Sequence, residues 1–224
     1  MKELIRLFKN YYILDILRLS RDIVLCKLLF PSKVRLIRQP AYIVGKKHIK
    51  FGENFNAGPN LRIEVLDSSF VRHEIEVGGE TPKLIIGDNV NLNFNVHIGV
   101  LKSIELGNNV LIASNVLIID HNHGHYKGSN QDAPFSVPRD RKSIAESVVI
   151  GDNTWIGENA SILPGTSIGE GCIIGANAVV SGTFEKHQMI AGAPAKAIKK
   201  YDSLTKKWVS SNSFQNKTDV NIDR

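Results

Sequence analysis

The sequence predicts a mainly β protein built as a parallel β-helix, and three observations carry that prediction. Aliphatic residues recur every six positions across much of residues 86–180, glycine often follows them directly, and polar residues fill the positions between. A period of six fits neither an α-helix nor an alternating strand, but it fits a short strand and a tight turn repeated around a common axis. The longest unbroken series has six members in register: Ile150, Ile156, Ile162, Ile168, Ile174 and Val180.

Two shorter series extend the predicted coils towards the N-terminus. Residues 86–98 form one series, and residues 106–118 form another that is displaced by two positions. A weaker start lies further upstream, at residues 44–52. At the corners, we expect glycine to supply either a positive φ or a close approach between neighbouring coils. The β-helix is therefore placed at residues 41–200.

Residues 1–40 are predicted to form a basic segment of one or two amphipathic helices that ends near Pro31. Residues 1–50 contain twelve Lys or Arg and three Asp or Glu, a balance of +9, whereas the remaining 174 residues balance at −3 within the total of +6. Charged residues interrupt the apolar ones too often for a signal peptide or a membrane-spanning helix. Two interpretations stay open for this segment: it packs on its own protein, or it lies on an anionic membrane surface.

The overall composition excludes several other classes of protein. A chain of 224 residues has the size of one large domain, and 42% apolar with 22% charged residues is ordinary globular usage. Because the basic excess is confined to one end, we do not expect nucleic acid as a partner. The two cysteines, Cys26 and Cys172, cannot build a disulfide framework, and reduced thiols favour a cytoplasmic protein.

The repeat stops at Ile118 and resumes near Val148, which predicts a long loop inserted between coils at about residues 120–147. A long irregular loop on a rigid scaffold is usually functional or disordered. Residues 67–82 form a second, less informative interruption. Beyond the β-helix, residues 201–224 are predicted to contain a short helix through Trp208 and then a polar tail.

Four motifs within residues 86–200 resemble the hexapeptide-repeat acyltransferases. They are Ile119-Asp-His-Asn-His-Gly124, Val149-Ile-Gly-Asp-Asn-Thr-Trp-Ile-Gly157, Ile162-Leu-Pro-Gly165 and Ala191-Gly-Ala-Pro-Ala-Lys-Ala-Ile-Lys199. Their order is most similar to that of bacterial polysaccharide O-acetyltransferases and of galactoside and maltose acetyltransferases. The resemblance implies a left-handed winding, acetyl-CoA as the acyl donor, a homotrimer with active sites between neighbouring subunits, and a sugar or glycan acceptor.

The same resemblance assigns residues to the acceptor side of the active site. His121 matches the histidine that opens the inserted loop, so we expect it to be the general base, a role that suits the pKa of histidine. His123 is the alternative base if the loop has a different register. Asp120 is expected either to orient the imidazole or to contact the sugar. Asn93 matches a residue that holds the acceptor, although an asparagine ladder or turn within the coil explains it equally well.

Five residues are assigned to the donor side. Trp155 and Gly157 match positions beside the acetyl-CoA groove, and Ala176 matches a residue whose backbone contacts the pantetheine. Lys196 and Lys199 match the basic residues that meet the CoA phosphates. No metal site is expected.

Two departures from the family pattern leave the individual CoA contacts open. Glu158 stands where some relatives have a small residue, and Ser181-Gly-Thr183 replaces a Thr-Lys-Asp stretch.

The leading hypothesis is an acetyl-CoA-dependent O-acetyltransferase that acts on a sugar hydroxyl in cell-surface polysaccharide or glycolipid synthesis, at the inner face of the cytoplasmic membrane if residues 1–50 contact lipid. A close alternative is an N-acetyltransferase acting on an amino sugar. A γ-type carbonic anhydrase uses the same fold with zinc, but the spacing of His97, His121, His123 and His125 departs from its pattern. A β-helix that only assembles partners is the non-enzymatic alternative.

Overall fold

The computed structural model describes residues 9–67, 75–76 and 81–210, in which the chain winds around three parallel sheets. Successive strands pass from sheet A to sheet B to sheet C and back, and each strand pairs with the strand one coil away. The three sheets form the faces of a prism, so that every coil has three corners. This architecture confirms the predicted parallel β-helix.

The strands are short because each one covers a single face of one coil. Sheet A contains β1 (Val34–Ile37), β4 (Phe55–Ala57), β8 (Asn91–Leu92), β11 (Leu111–Ile112), β16 (Trp155–Ile156), β19 (Ile173–Ile174), β22 (Gln188–Gly192), β23 (Ala195–Asp202) and β24 (Lys207–Ser210). Sheet B contains β2 (Ala41–Val44), β5 (Leu61–Val65), β9 (His97–Val100), β12 (Leu117–Ile119), β17 (Ser161–Ile162) and β20 (Val179–Val180). Sheet C contains β3 (Ile49–Lys50), β7 (Lys83–Ile86), β10 (Ser103–Leu106), β15 (Val148–Ile150), β18 (Ser167–Ile168) and β21 (Thr183–Phe184).

The aliphatic residues of the repeat form the core, as predicted. Ile112 pairs with Ile156, and Ile156 with Ile174, in consecutive parallel strands. Each of these side chains is at most 1% exposed. Burial of a side chain of this size contributes about 1.5–3 kcal/mol. The six-residue period is therefore the signature of inward-facing positions, one for each face of the coil.

Asparagine and glycine have different roles at the corners of the coils. The left-handed corner residues include Asn89, Asn109 and Asn153, with φ of 58°, 57° and 56°. The side-chain amide of Asn89 donates to the amide oxygen of Asn109, and that of Asn109 donates to Asn153, both at 3.1 Å, which forms an asparagine ladder along the edge. The glycines that follow the core aliphatics serve close approach instead, because a Cβ on Gly157 would lie 2.7 Å from the backbone nitrogen of Ala176.

The N-terminal segment contributes one described helix, α1 (Ile13–Leu29), which ends before Pro31 as predicted. Its inner face packs on β1, and Cys26 joins the hydrophobic core. The carboxylate of Asp22 is buried, and it accepts hydrogen bonds from Arg21 (2.7 and 3.0 Å) and Arg38 (2.9 Å). Burial acts to raise the pKa of Asp22, but these hydrogen bonds outweigh it and hold the pKa below its usual value. The first strand of sheet A begins at residue 34, inside the segment 1–40.

The C-terminal helix that we expected through Trp208 is wrong. Strands β23 and β24 form an antiparallel hairpin at the end of sheet A, and Tyr201 pairs with Trp208 across it. The two rings also pack edge to face, with centroids 5.4 Å apart. A two-stranded ribbon therefore takes the place of the expected helix. The predicted polar tail after residue 210 lies outside the described residues.

The inserted loop leaves sheet B at residue 120 and returns to sheet C at residue 148. Its two ends pair as antiparallel strands, β13 (His121–His123) and β14 (Ser143–Ala145), and β14 also pairs with β6 (Ile75–Glu76). Thus the two interruptions of the repeat meet in one small sheet. Within the described ranges, no helix is long and apolar enough to span a membrane.

Candidate active site

The carboxylate of Asp120 is fixed by the backbone where the loop leaves the β-helix. Its oxygens accept hydrogen bonds from the N–H groups of Leu101 (2.8 Å), Lys102 (2.7 Å) and Ser103 (2.8 Å) in the preceding coil. The residue is fully buried. A buried carboxylate needs such donors, since an unpaired one would be strongly destabilising. Asp120 is therefore a rigid anchor and presents no surface to a ligand in solution.

His121 takes its orientation from this anchor. Its Nδ1 lies 3.0 Å from Oδ1 of Asp120, and 20% of its side chain is exposed. Because an ionised carboxylate only accepts hydrogen bonds, Nδ1 carries the proton and Nε2 presents a lone pair. A carboxylate thus orients a histidine base, and part of the imidazole ring reaches solvent.

The other loop histidines have different surroundings. His123 is exposed on β13 and pairs with Ser143. His125 is bonded through Nδ1 to the backbone oxygen of Asn130 at 2.6 Å, which ties it to the fold of the loop. The backbone N–H of His125 also donates to the carboxylate of Asp132 at 2.7 Å. Of these three imidazole rings, only that of His121 is bonded to a carboxylate within the described residues.

Gly99 leaves the space that the His121 imidazole occupies. A Cβ on Gly99 would lie 3.3 Å from Cε1 of His121 and 3.7 Å from Nε2 of His97. Two histidines from different coils therefore flank one glycine. His97 in turn contacts Glu64, with Nε2 3.1 Å from Oε2, and Glu64 is paired with Arg62.

Sequence reasoning missed Arg62 and Glu64, and it considered His97 only as a zinc ligand. The coil containing residues 61–65 lies before the strong repeat, so its outward positions were not recognised. A usable signal was present, because polar and apolar residues alternate in Leu61-Arg-Ile-Glu-Val65, which is typical of a half-buried strand.

The donor-side residues lie along the outer face of sheet A. Trp155, half exposed, pairs with Leu111 on one side and with Ile173 on the other. Ile173 pairs with Met189, and Met189 pairs with Lys199. The outcome is an apolar strip that ends in a cation. Three strand spacings separate Trp155 from Lys199, which is about 14 Å.

A bulge brings both lysines onto this strip. Lys196 and Lys199 are three residues apart, which would place them on opposite faces of a regular strand. The register of β22 against β23 shifts between Met189 and Ile190, so that Lys199 lies opposite Met189 and Lys196 opposite Ala191. Met189 and Ala191 flank the buried Ile190 and share the outward face. Both lysines are exposed on that face.

The structure does not bring the two halves of the expected site together within one chain. Asn93, Gly157 and Ala176 follow β8, β16 and β19, at the corner where sheet A turns into sheet B. His121 follows β12, at the corner between sheets B and C. The width of sheet B separates these corners, and a four-residue strand such as β9 spans about 13 Å.

Two expectations about individual residues can be refined. The asparagine ladder near Asn93 is formed by Asn95, which accepts from Asn60 and donates to Asn115, and not by Asn93. Among the described residues, the side chain of Asn93 makes no hydrogen bond. Gly157 was expected beside the acetyl-CoA groove. Close packing against the next coil is enough to require glycine at this position, whether or not the residue contacts CoA.

Comparisons with known proteins place this chain in a family. Models of a bacterial transferase hexapeptide (six repeats) and of the hexapeptide repeat of succinyl-transferase match residues 147–182 and 83–119. A protein of Escherichia coli (strain K12), WbbJ, whose name assigns it to lipopolysaccharide biosynthesis as an O-acetyl transferase, is 40% identical over 206 residues, covering 92% of this chain and 98% of that protein. The chain belongs to the hexapeptide-repeat acyltransferases. It is therefore an enzyme of the acyltransferase class, as the sequence motifs predict.

Solved structures support the fold. The structure of AntD, an N-acyltransferase from Bacillus cereus, in a mutant complex with dTDP and coenzyme A, matches with a TM-score of 0.57 and 18% identity over 84% of this chain and 88% of that one. A maltose O-acetyltransferase from Clostridium difficile 630 matches with a TM-score of 0.53 and 24% identity over 86% and 92%. Within the described part of the chain, no three His, Cys, Asp or Glu side chains are grouped as a metal site.

Proposed function

We propose that this protein transfers an acetyl group from acetyl-CoA to a sugar hydroxyl during the synthesis of a cell-surface glycan. The observation that carries the proposal is the pair of His121 and Asp120, in which a buried carboxylate fixes an imidazole with its Nε2 lone pair available. The name of the 40% identical relative supports a glycan acceptor of the lipopolysaccharide type.

The chemistry needs one group that moves a proton. Nε2 of His121 accepts the proton of the sugar hydroxyl while the hydroxyl oxygen attacks the thioester carbonyl carbon. The C–S bond then breaks, and the same imidazole returns the proton to the CoA thiolate. Asp120 stabilises the imidazolium between the two transfers and does not contact the sugar. General acid–base catalysis of this kind contributes about 10²–10⁴-fold.

The transfer is direct, without an acyl-enzyme intermediate. Cys172 is fully buried, and its thiol donates a hydrogen bond to the backbone oxygen of Glu185 at 3.1 Å. Burial raises the pKa of this thiol, which keeps it protonated and a poor nucleophile.

Acetyl-CoA binds along the outer face of sheet A in this proposal. The apolar strip from Trp155 to Met189 accommodates the pantetheine arm, with the backbone of Gly157 and Ala176 beside it. Lys196 and Lys199 bind the phosphates, for which lysine is a suitable point charge. The bulge in β23 is what allows the two cations to act on the same ligand.

The active enzyme is a homotrimer in this proposal, since the base lies at the corner between sheets B and C whereas the donor strip lies on sheet A of each chain. A neighbouring subunit supplies the donor site when its corner between sheets A and B faces the corner of this chain that carries His121. Asn93, at the same corner of that neighbour, then lies on the acceptor side. Light scattering tests this directly: the expected mass is three times the chain's 24.8 kDa, and a monomer with full activity would contradict it.

The N-terminal helix lies on the cytoplasmic membrane in this proposal, at its inner face. Opposite the buried Asp22 and Cys26, α1 carries an exposed apolar stripe of Ile13, Leu14, Leu17, Val24 and Leu28, each more than half exposed. The basic excess of residues 1–50 matches an anionic bilayer, which adds about 1 kcal/mol per cation near the surface.

Vesicle flotation tests this contact. The protein should float with phosphatidylglycerol vesicles at low salt and less with phosphatidylcholine vesicles. Leu17→Ser combined with Leu28→Ser should abolish flotation, whereas Leu204→Ser, a substitution of a 92% exposed residue outside α1, should not. Flotation that ignores lipid charge, or that survives the helix substitutions, would contradict the proposal.

The choice of a hydroxyl rather than an amine rests on the curated relative, while AntD represents the alternative of N-acylation. The test is thiol release from acetyl-CoA with a panel of methyl glycosides and amino sugars, followed by treatment of the product with hydroxylamine. An ester product is cleaved and an amide product is not. Transfer only to amines would overturn O-acetylation, and no transfer to any acceptor would overturn the proposed function.

A further inference from the structure

A second histidine with its own carboxylate stands beside the base on the outer face of sheet B. The register pairs Arg62 with His97 and Glu64 with Gly99, so these residues occupy neighbouring outward positions of β5 and β9. Nε and Nη2 of Arg62 lie 2.8 and 3.0 Å from the two oxygens of Glu64, a forked contact. Nε2 of His97 lies 3.1 Å from Oε2 of Glu64.

The Glu64 carboxylate fixes the tautomer of His97. Burial acts to raise the pKa of Glu64, but hydrogen bonds from Arg62 and His97 hold it below its usual value, so Glu64 is ionised. An ionised carboxylate only accepts hydrogen bonds, so Nε2 of His97 carries the proton and Nδ1 has the lone pair. Burial, helped by the nearby Arg62 and His121, lowers the pKa of His97 despite Glu64, which keeps the ring neutral.

The two imidazoles lie side by side above Gly99. A Cβ on Gly99 would lie 3.3 Å from Cε1 of His121 and 3.7 Å from Nε2 of His97, the nitrogen that is bonded to Glu64, and 31% of the His97 side chain is exposed. Among the described residues, no hydrogen bond engages Nδ1 of His97 or Nε2 of His121. Each ring thus has one unoccupied acceptor nitrogen, Nδ1 in His97 and Nε2 in His121. The carboxylates of Glu64 and Asp120 hold the two rings in opposite tautomers.

An ion pair that served stability alone would gain little at this position. Arg62 is 55% exposed, and screening by solvent leaves an exposed ion pair with little effect on stability. The arrangement does, however, orient a neutral histidine next to the base, in the way that outer carboxylates orient functional histidines elsewhere.

We propose that Arg62, Glu64 and His97 form the acceptor subsite, in which Nδ1 of His97 accepts a hydrogen bond from the hydroxyl adjacent to the one that is acetylated. The inference rests on the proposed function and narrows its substrate class to glycans with neighbouring hydroxyl groups. His97 contacts the sugar, whereas Glu64 and Arg62 are positioning residues that act through its ring.

The experiment compares a methyl glycoside that the unsubstituted enzyme acetylates with its monodeoxy derivatives, each lacking one hydroxyl next to the acetylated position. His97→Phe keeps the ring shape and removes the acceptor nitrogen. We expect it to raise the KM for the glycoside about tenfold, the size of one lost hydrogen bond, while the KM for acetyl-CoA stays the same. The unsubstituted enzyme should discriminate against one deoxy derivative by a similar factor, and His97→Phe should not.

Two further variants separate this role from a structural one. Glu64→Gln should raise the KM for the glycoside in the same direction, because it no longer fixes the tautomer of His97. His48→Phe is the matched control: Nε2 of His48 lies 3.0 Å from Asp67 in a similar pair that does not contact His121. It should leave both KM values unchanged.

The outcomes distinguish the subsite from the reaction. An enzyme that transfers acetyl groups but whose His97→Phe variant keeps its KM and its discrimination against the deoxy sugar would overturn the subsite alone. Equal effects of His97→Phe and His48→Phe would also overturn it. An enzyme that acetylates no glycoside would overturn the proposed function and this subsite together.

Discussion

Replacement of Gly99 by alanine should shift the His121 imidazole while the side chains of His121 and His97 stay chemically unchanged. The new Cβ would lie 3.3 Å from Cε1 of His121 and 3.3 Å from Cγ2 of Ile119. Both distances are shorter than an ordinary carbon–carbon contact, so the ring must move by a few tenths of an ångström. Gly99 does not have a positive φ, and alanine is therefore free of backbone strain there.

The expected cost falls on the rate and not on stability. A misplacement of about 1 Å costs roughly 10²-fold, so we expect kcat for Gly99→Ala to fall roughly tenfold. The free energy of unfolding should change by less than about 1 kcal/mol, because the lower entropy of the unfolded chain offsets the tighter contact. Thiol release from acetyl-CoA gives kcat, and urea denaturation gives the stability.

Gly128→Ala gives the reciprocal control. Gly128 has a φ of 71° with open space around it, so alanine there should destabilise the protein by about 1 kcal/mol and leave kcat unchanged. Full kcat in Gly99→Ala would refute the idea that the packing of His121 on this glycine sets its reactive position.

Three further predictions concern other parts of the molecule. Asp120→Asn should lower kcat roughly 10²-fold, because the amide no longer fixes the His121 tautomer, and a 15N NMR spectrum that still shows Nδ1 protonated would contradict this. Asp22→Asn should lower the free energy of unfolding by about 2 kcal/mol at neutral pH. Because the pKa of Asp22 is lowered in the folded state, the difference in stability between Asp22→Asn and the unsubstituted protein should shrink as the pH falls through that pKa. A stability difference that does not depend on pH in urea titrations would contradict this prediction. Lys196→Ala combined with Lys199→Ala should raise the KM for acetyl-CoA about tenfold but hardly affect acetyl-pantetheine, which lacks the phosphates; an equal rise for both donors would contradict the phosphate assignment.

The sequence predicts the scaffold well because the core of a β-helix is periodic. Residues such as Ile156 repeat at a fixed interval, and the same interval places them on the axis. It also predicts that glycine follows them, since neighbouring coils approach closely at Gly157. The asparagines that adopt the left-handed corners, for example Asn153, were seen only as outward polar residues, because sequence alone does not give backbone angles.

Features that depend on contacts between distant coils were beyond the sequence. The three backbone donors to Asp120 lie about twenty residues earlier in the chain, and only the coil geometry brings them together. The same holds for Glu64 and His97, which are 33 residues apart. The C-terminal hairpin was missed because its few residues carry weak local patterning, and pairing with β22 decides the strand conformation.

The single measurement closest to the central claim compares His121→Ala with His123→Ala in the thiol-release assay, using a glycoside that the unsubstituted enzyme acetylates. The two histidines lie two residues apart on β13, and only His121 is bonded to Asp120 among the described residues. We predict that His121→Ala lowers kcat by about 10²-fold or more, while His123→Ala stays close to the unsubstituted enzyme. Loss of turnover in His123→Ala with activity retained in His121→Ala would contradict the account.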